Sequence, residues 1–235
     1  MADWNPPSTL REEAHAIPRP DGSTAHVVLR EGDLLLLRWD RICPSAFIAC
    51  ANGGPSHTAL VLANPDNGKL YVAHTTESVV LVSPEAAWPR SDGRKRAYRG
   101  THAHLIAETL PGYKHMWVLR PHSPPWTRAQ LDKATALLQR RIDETGGLTD
   151  AEASESLAGR EEAPLMASNY EHSALAPEYL HACFGWPNAT RDRWMCSEFT
   201  AELLRAAGRW PEDVPTSATP SRIVRVVGGQ YSSVF

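Results

Sequence analysis

Hydrophobic positions in the first half of the chain form short runs that are typical of β-strands. Four consecutive leucines at residues 34–37 follow Gly32-Asp33, and they predict a strand that is buried on both faces. Apolar runs at residues 58–63 and 70–74 flank Asn67-Gly68, which is a strong hairpin signal. This part of the sequence therefore predicts paired antiparallel strands.

The second half of the chain carries the period of helices. Apolar side chains recur on one face of residues 127–144, which predicts a long amphipathic helix. Residues 196–207 show the same period, and Gly208 provides a stop. Shorter patterns predict strands at residues 79–82 and 116–120, short helices at 43–51 and 177–184, and a strand or short helix at 223–227.

The order of these elements predicts one α+β domain, with an antiparallel sheet and helices packed against it. We place this domain at residues 25–235. Residues 1–24 are polar and rich in proline, and we expect a flexible arm there. Residues 148–167 are acidic and rich in small side chains, which predicts a mobile surface insertion. We expect residues 84–111 to be irregular.

Composition excludes some classes of function. The chain of 235 residues has a net charge of −3, which gives no electrostatic case for nucleic acid or for an anionic membrane. No apolar run reaches the length of a membrane span, and the first residues lack a signal-peptide pattern. The four cysteines show no disulfide spacing. We therefore expect a reducing cytoplasm, although a protein delivered by another route would have the same composition.

The strongest candidate for chemistry is Cys196, at the first turn of the helix predicted at residues 196–207. The positive end of a helix dipole favours a thiolate, which is the nucleophilic form of cysteine. The backbone N–H of Cys196 is also a candidate donor to an oxyanion. Ser197 and Glu198 suit a helix start.

A thiol nucleophile needs a base and a polar group that orients the base. His57 follows a glycine-rich turn and opens an apolar strand, so it is the candidate base. His74 ends the neighbouring strand of the predicted hairpin and is the candidate orienting group, with Glu77 as the alternative. Trp39 and Trp194 flank the two motif regions and are candidates for the walls of a cleft.

Most other reactive residues have structural interpretations. We expect Cys43, Cys50 and Cys183 to be small buried hydrophobes. His102 and His104 could mimic a metal-binding pair, but no cysteine or carboxylate stands at ligand spacing, so we expect no metal and no cofactor. We expect a solvated loop for the basic cluster Arg90, Arg94, Lys95, Arg96 and Arg99, with an anionic substrate group as the alternative.

Taken together, the motifs resemble those of a known family. Gly32-Asp33 and Ser56-His57 each precede an apolar strand, and Cys196-Ser197-Glu198 opens a late helix. This order resembles the permuted NlpC/P60 superfamily of bacteria and phages, and within it the YiiX/YaeF-like papain-fold hydrolases, in which the histidine precedes the cysteine. Thr219-Pro220-Ser221 also resembles a segment that follows the cysteine helix in that family. The resemblance covers roughly residues 30 to 227.

The resemblance implies a circularly permuted papain-like fold and a thiol hydrolase that cleaves an amide or an ester. His74 takes the place where the family usually has a polar residue, often Glu. The implied substrates are peptides, peptidoglycan fragments or acyl lipids. An acyltransferase on the same scaffold and a non-catalytic binding module remain the alternatives, and the sequence does not indicate an oligomeric state.

Overall fold

The computed structural model of the chain describes residues 10–18, 23–38, 55–76, 86–91, 100–110, 113, 115–122, 124–144 and 196–234. Within these ranges the chain forms eight strands and four helices. The strands are β1 (Glu12–Pro18), β2 (Thr24–Arg30), β3 (Leu34–Arg38), β4 (His57–Ala63), β5 (Leu70–Thr76), β6 (Gly100–Leu105), β7 (His115–Pro121) and β8 (Tyr231–Ser233). The helices are α1 (Ile106–Thr109), α2 (Arg128–Glu144), α3 (Cys196–Ala206) and α4 (Pro220–Val227).

Six of the strands form one antiparallel sheet in the order β6-β5-β4-β3-β7-β8. The four leucines of β3 are all buried, because this strand lies inside the sheet and both of its faces are covered. Strands β1 and β2 form a separate antiparallel pair. The predicted α+β class with antiparallel strands is therefore confirmed.

The two faces of the sheet belong to two different hydrophobic clusters. On one face, Leu34 and Leu60 pack with helix residues such as Leu138 of α2 and Phe199 of α3. On the other face, alternate residues of the same strands, including Leu35, Leu37, Ala59, Val61 and Val72, pack with the β1–β2 pair. Because side chains alternate along a strand, neighbouring residues of β4 and β5 face different layers. This alternation decides where the candidate site residues lie.

The Gly32-Asp33 motif forms the turn between β2 and β3. Gly32 has a φ of +85°, and a Cβ atom there would lie 2.4 Å from the Nε1 atom of Trp126, so only glycine fits. Asp33 is fully buried and accepts hydrogen bonds from the Arg120 side chain at 3.0 and 2.8 Å and from the Arg30 backbone N–H at 2.8 Å. The motif is therefore a structural turn held by a buried ion pair.

Several predicted elements are confirmed. The hairpin signal lies between β4 and β5, the long amphipathic helix is α2, and the strand predicted at residues 116–120 is β7. Of the two alternatives for residues 223–227, the structure has the helix, α4. Thr219 caps it by accepting a hydrogen bond from the Arg222 N–H, and Pro220 begins it. The Thr219-Pro220-Ser221 motif is thus a helix start.

Two predictions are wrong. Glu12–Pro18, assigned to a flexible arm, pairs along its whole length with β2 and buries Ile17. Residues 84–111 are not irregular throughout, because Gly100–Leu105 forms the edge strand β6 and α1 follows it. Glu12–Pro18 has only one large apolar residue, and β6 alternates histidines with small residues, so neither segment shows a clear strand period. The elements predicted at residues 43–51, 79–82 and 177–184, and the insertion at 148–167, lie outside the described residues.

None of the helices in the described ranges has both the length and the apolar character that a membrane crossing needs.

Candidate functional site

Cys196 is the first residue of α3 and is half-buried. The helix is amphipathic, and its apolar residues Phe199 and Leu203 are fully buried in the core under the sheet. This packing brings the first turn of α3 against the start of β4. The backbone N–H groups of Cys196, Ser197 and Thr58 lie near the thiol there and favour its charged form. The predicted position of the cysteine at a helix start is therefore correct.

The protonation state differs from the expectation. Burial raises the pKa of the Cys196 thiol to about 11, and the surrounding N–H donors lower it by less. At that pKa the protonated thiol is the resting form in place of the expected thiolate. A base must take the proton from this thiol before the sulfur can act as a strong nucleophile.

His57 and His74 form a direct pair. Their hydrogen bond joins His57 Nε2 and His74 Nδ1 at 2.8 Å, and the two rings meet edge to face with centroids 5.0 Å apart. The strands explain the contact, since His57 opens β4 and His74 lies near the end of the neighbouring strand β5. His74 thus occupies the position predicted for the orienting group. The alternative, Glu77, lies outside the described residues.

Both imidazoles of the pair are neutral at physiological pH. Burial, and to a smaller extent the neighbouring His102, lowers the pKa of His57 to about 3. The pKa of His74 is lowered well below its ordinary value by burial and then by the neighbouring histidines. A neutral imidazole has one nitrogen that can accept a proton, so the pair retains a base.

The helix that carries Cys196 and the side chain of His57 lie on opposite faces of the sheet. Thr58 lies on the face covered by α3, where its hydroxyl donates to Thr200 Oγ1 at 3.1 Å. Its neighbour His57 faces the other way. Among the described residues, no hydrogen bond joins the Cys196 sulfur to the His57 ring. The predicted contact is therefore not made in the resting structure.

Tyr113 contacts His57, and no motif in the sequence indicates it. Its ring stacks on His57 with centroids 5.9 Å apart and an interplanar angle of 15°. Its pKa is raised mainly by burial, with a smaller contribution from negative charge on Cys196. The local sequence gives no sign of this position, because only the fold brings Tyr113 to the start of β4.

His102 and His104 join the site from β6. Their sequence predicts no metal site, but both side chains are buried. His102 pairs directly with His74 across the two strands, and the ring centroids of these two residues lie 4.3 Å apart. Together His74, His102 and His104 form a group of potential metal ligands, which we call the histidine cluster. Spacing along the sequence does not indicate this cluster, because His74 lies 28 residues before His102 and meets it only through the pairing of β5 with β6.

Other predicted residues have structural roles or lie outside the described ranges. Arg90 donates hydrogen bonds to the carbonyl oxygens of Ile142 and Asp143 at the end of α2, so it stabilises the helix terminus. A surface hollow of about 580 Å³ is lined by residues of α2, including Gln139 and Asp143, and not by the candidate catalytic residues. The residues outside the described ranges are Trp39, Cys43, Cys50, Glu77, Arg94, Lys95, Arg96, Arg99, Cys183 and Trp194.

Compared with protein-family models, with curated proteins and with solved structures, the chain has no significant match. The function must therefore be argued from the geometry of the site.

Proposed function

We propose that this protein is a cysteine-dependent hydrolase of amide or ester bonds, built on a circularly permuted papain-like fold. The observation that carries the proposal is the hydrogen-bonded pair of His57 and His74 at the end of the sheet where α3 presents Cys196. A thiol at a helix start, a neutral imidazole and an orienting group are the parts that such an enzyme needs. The strand that carries the histidine precedes the cysteine helix, which is the order of the permuted branch.

In the proposed mechanism, Cys196 is the nucleophile and His57 is the general base. His57 donates its Nε2 proton to Nδ1 of His74, which leaves His57 Nδ1 as an acceptor. As the sulfur attacks the carbonyl carbon, its proton passes to His57. The backbone N–H of Cys196 then donates to the oxyanion. The leaving amine or alcohol takes the proton from His57, and a thioester with Cys196 remains.

Water completes the reaction. His57 takes one proton from a water molecule, whose oxygen attacks the thioester carbon. The carboxylic acid leaves, and the proton returns to the Cys196 sulfur. His74 touches neither substrate nor sulfur in this scheme, so it is a positioning residue for His57.

The mechanism requires His57 and Cys196 to approach each other when substrate binds. Catalytic hydrogen bonds are often long in proteins without substrate and tighten in the substrate complex. The His57 ring stacks on Tyr113 with centroids 5.9 Å apart, so the approach requires movement of this ring or of the Cys196 side chain.

The proposed substrates are peptides, peptidoglycan fragments and acyl lipids. The chain itself favours no member of this group. An acyltransferase would use the same thioester and replace water with another acceptor.

The test uses activated substrates. Wild-type protein is expected to release nitrophenol from a nitrophenyl ester in a burst, with an acyl adduct on Cys196 detected by intact-protein and peptide mass spectrometry. Cys196→Ser and His57→Ala are expected to lower turnover by at least about 10³-fold. Thr58→Ser is the matched control, since it keeps the hydroxyl beside the sulfur and should retain activity within about threefold.

The outcomes separate the alternatives. Turnover that persists in Cys196→Ser would overturn the proposed nucleophile. Faster acyl transfer to an added amine or lipid alcohol than to water would indicate an acyltransferase. Absence of both turnover and adduct across ester and amide substrates would favour a non-catalytic binding module.

A further inference from the structure

The histidine cluster is produced by the register of two neighbouring strands. His74 of β5 stands directly opposite His102 of β6, and His104 is two residues further along β6. Residues two apart on a strand face the same side of the sheet, and so do direct cross-strand partners. The three imidazoles therefore share one face. Their ring centroids are 4.3, 4.5 and 5.9 Å apart.

The cluster is buried and holds unused hydrogen-bonding capacity. The three side chains are at most 3% exposed. Within the described part of the chain, the Nε2 atoms of His74 and His104 are buried and have no hydrogen-bond partner. Buried polar atoms in native proteins nearly always have one. Unpartnered ring nitrogens in a group therefore suggest a ligand that accepts their lone pairs.

We propose that His74, His102 and His104 bind one divalent transition-metal ion, with zinc as the best match. Imidazole nitrogen suits zinc, copper and nickel, and three histidines with one open position form a familiar zinc site. One ligand atom from each side chain lies within 4.8 Å of the others. Tetrahedral zinc needs nitrogen atoms about 3.3 Å apart, so the widest pair closes by about 1.5 Å through ring rotation. Water or a substrate group takes the fourth position.

The partner of His74 supports the assignment. A histidine that binds a metal through one ring nitrogen usually makes a hydrogen bond with the other. His74 has this arrangement, since its Nδ1 atom is bonded to His57 and its Nε2 atom has no partner among the described residues. The cluster therefore has ligand atoms and also a residue that fixes the orientation of one of them.

Metal binding has a consequence for catalysis that rests on the proposed function. Zinc on His74 Nε2 leaves the ring proton on Nδ1, which must then donate to His57 Nε2. Neutral His57 in turn carries its own proton on Nδ1, so neither of its nitrogens accepts the thiol proton. The metal-loaded protein is therefore the inactive form, and the metal-free protein is the active one.

The test is zinc titration of the full chain, prepared without a histidine tag and stripped of metal. Wild-type protein is expected to bind one zinc ion with a Kd below about 1 μM, measured by competition with a fluorescent chelator. His104→Leu should weaken binding by at least about tenfold. His26→Leu removes an exposed histidine of β2 and should bind like wild type. Cys196→Ser should also bind like wild type, which separates this site from the proposed hydrolase.

Several results would overturn the proposal. These are no binding by wild type, equal binding by His104→Leu, or loss of binding in Cys196→Ser. X-ray absorption of the zinc-loaded wild-type protein gives an answer that needs no variant to fold. Three imidazole nitrogens around zinc are expected, and a sulfur ligand or a single imidazole would contradict the assignment.

Discussion

Two buried polar regions of this protein differ in how completely their atoms are paired. At the turn between β2 and β3, Glu31 accepts two hydrogen bonds from Arg128 at 2.8 and 2.7 Å and one from the Arg11 N–H at 3.0 Å. Asp33 is paired in the same manner with Arg120. The histidine cluster is equally buried, yet the Nε2 atoms of His74 and His104 have no partner among the described residues.

The difference teaches how to separate structural from functional polar groups. A buried charge whose lone pairs are all occupied by the protein has nothing left for a ligand, and its pairing holds the fold. A buried polar atom without a hydrogen-bond partner costs about 1–3 kcal/mol of folding stability. Such atoms are therefore expected mainly where a ligand or a reaction uses them. By this criterion the Gly32-Asp33 turn is structural, whereas the histidine cluster is the candidate for a functional role.

Breaking the paired region should have the largest effect. Asp33→Ala leaves the Arg120 guanidinium without its carboxylate, and we expect the free energy of unfolding to fall by about 3 kcal/mol. Glu12→Ala breaks the Arg30–Glu12 pair, in which both side chains are largely exposed, and should cost less than about 0.5 kcal/mol. Urea denaturation of both variants measures the two losses. Equal losses would contradict the structural role of Asp33.

Binding of zinc to the histidine cluster should have an intermediate effect, on the rate of hydrolysis. Because zinc on His74 fixes the hydrogen bond to His57 in the unproductive direction, saturating zinc should slow ester hydrolysis by wild type at least about tenfold. The rate of His104→Leu, measured with and without zinc, should change by less than about twofold. Wild-type hydrolysis that is indifferent to bound zinc would show that the metal and His57 are not coupled.

Removing an unpaired atom should have the smallest effect, of the opposite sign. His104→Leu replaces a buried imidazole with an apolar side chain of similar size, and we expect the metal-free protein to be unchanged or more stable by up to about 1 kcal/mol. Urea denaturation in the presence of a chelator measures this difference, with His26→Leu as the exposed control. A loss above about 2 kcal/mol would mean that the imidazole makes a bond that holds the fold.

Local patterns predicted the elements that position the site. Local sequence was sufficient for three elements. They are the leucine strand β3, the hairpin at Asn67-Gly68 and the amphipathic helix α3. The same patterns placed Cys196 at a helix start. They also placed His57 and His74 on neighbouring strands. These predictions succeeded because the hydrophobic period and the turn residues agree with the final packing.

The parts that failed depend on contacts distant in sequence. His102 meets His74 only because β6 pairs with β5, and the alternation of histidine and small residues in β6 does not stand out as a strand. Tyr113 reaches His57 through packing between elements. The protonation state of Cys196 depends on the burial of its thiol, which raises the pKa. None of these three features can be deduced from the spacing of residues along the sequence.

The most direct test of the proposed Cys196–His57 partnership is the pH dependence of Cys196 alkylation by iodoacetamide, resolved by peptide mass spectrometry in wild type and His57→Ala. His57 is neutral above its pKa of about 3 and the thiol keeps its proton up to about 11, so general-base assistance should give wild type a nearly constant rate from about pH 5 to 9. Without the imidazole, His57→Ala should react only through the thiolate, at a rate that rises tenfold per pH unit toward pH 11. Superimposable profiles for the two proteins would contradict the partnership.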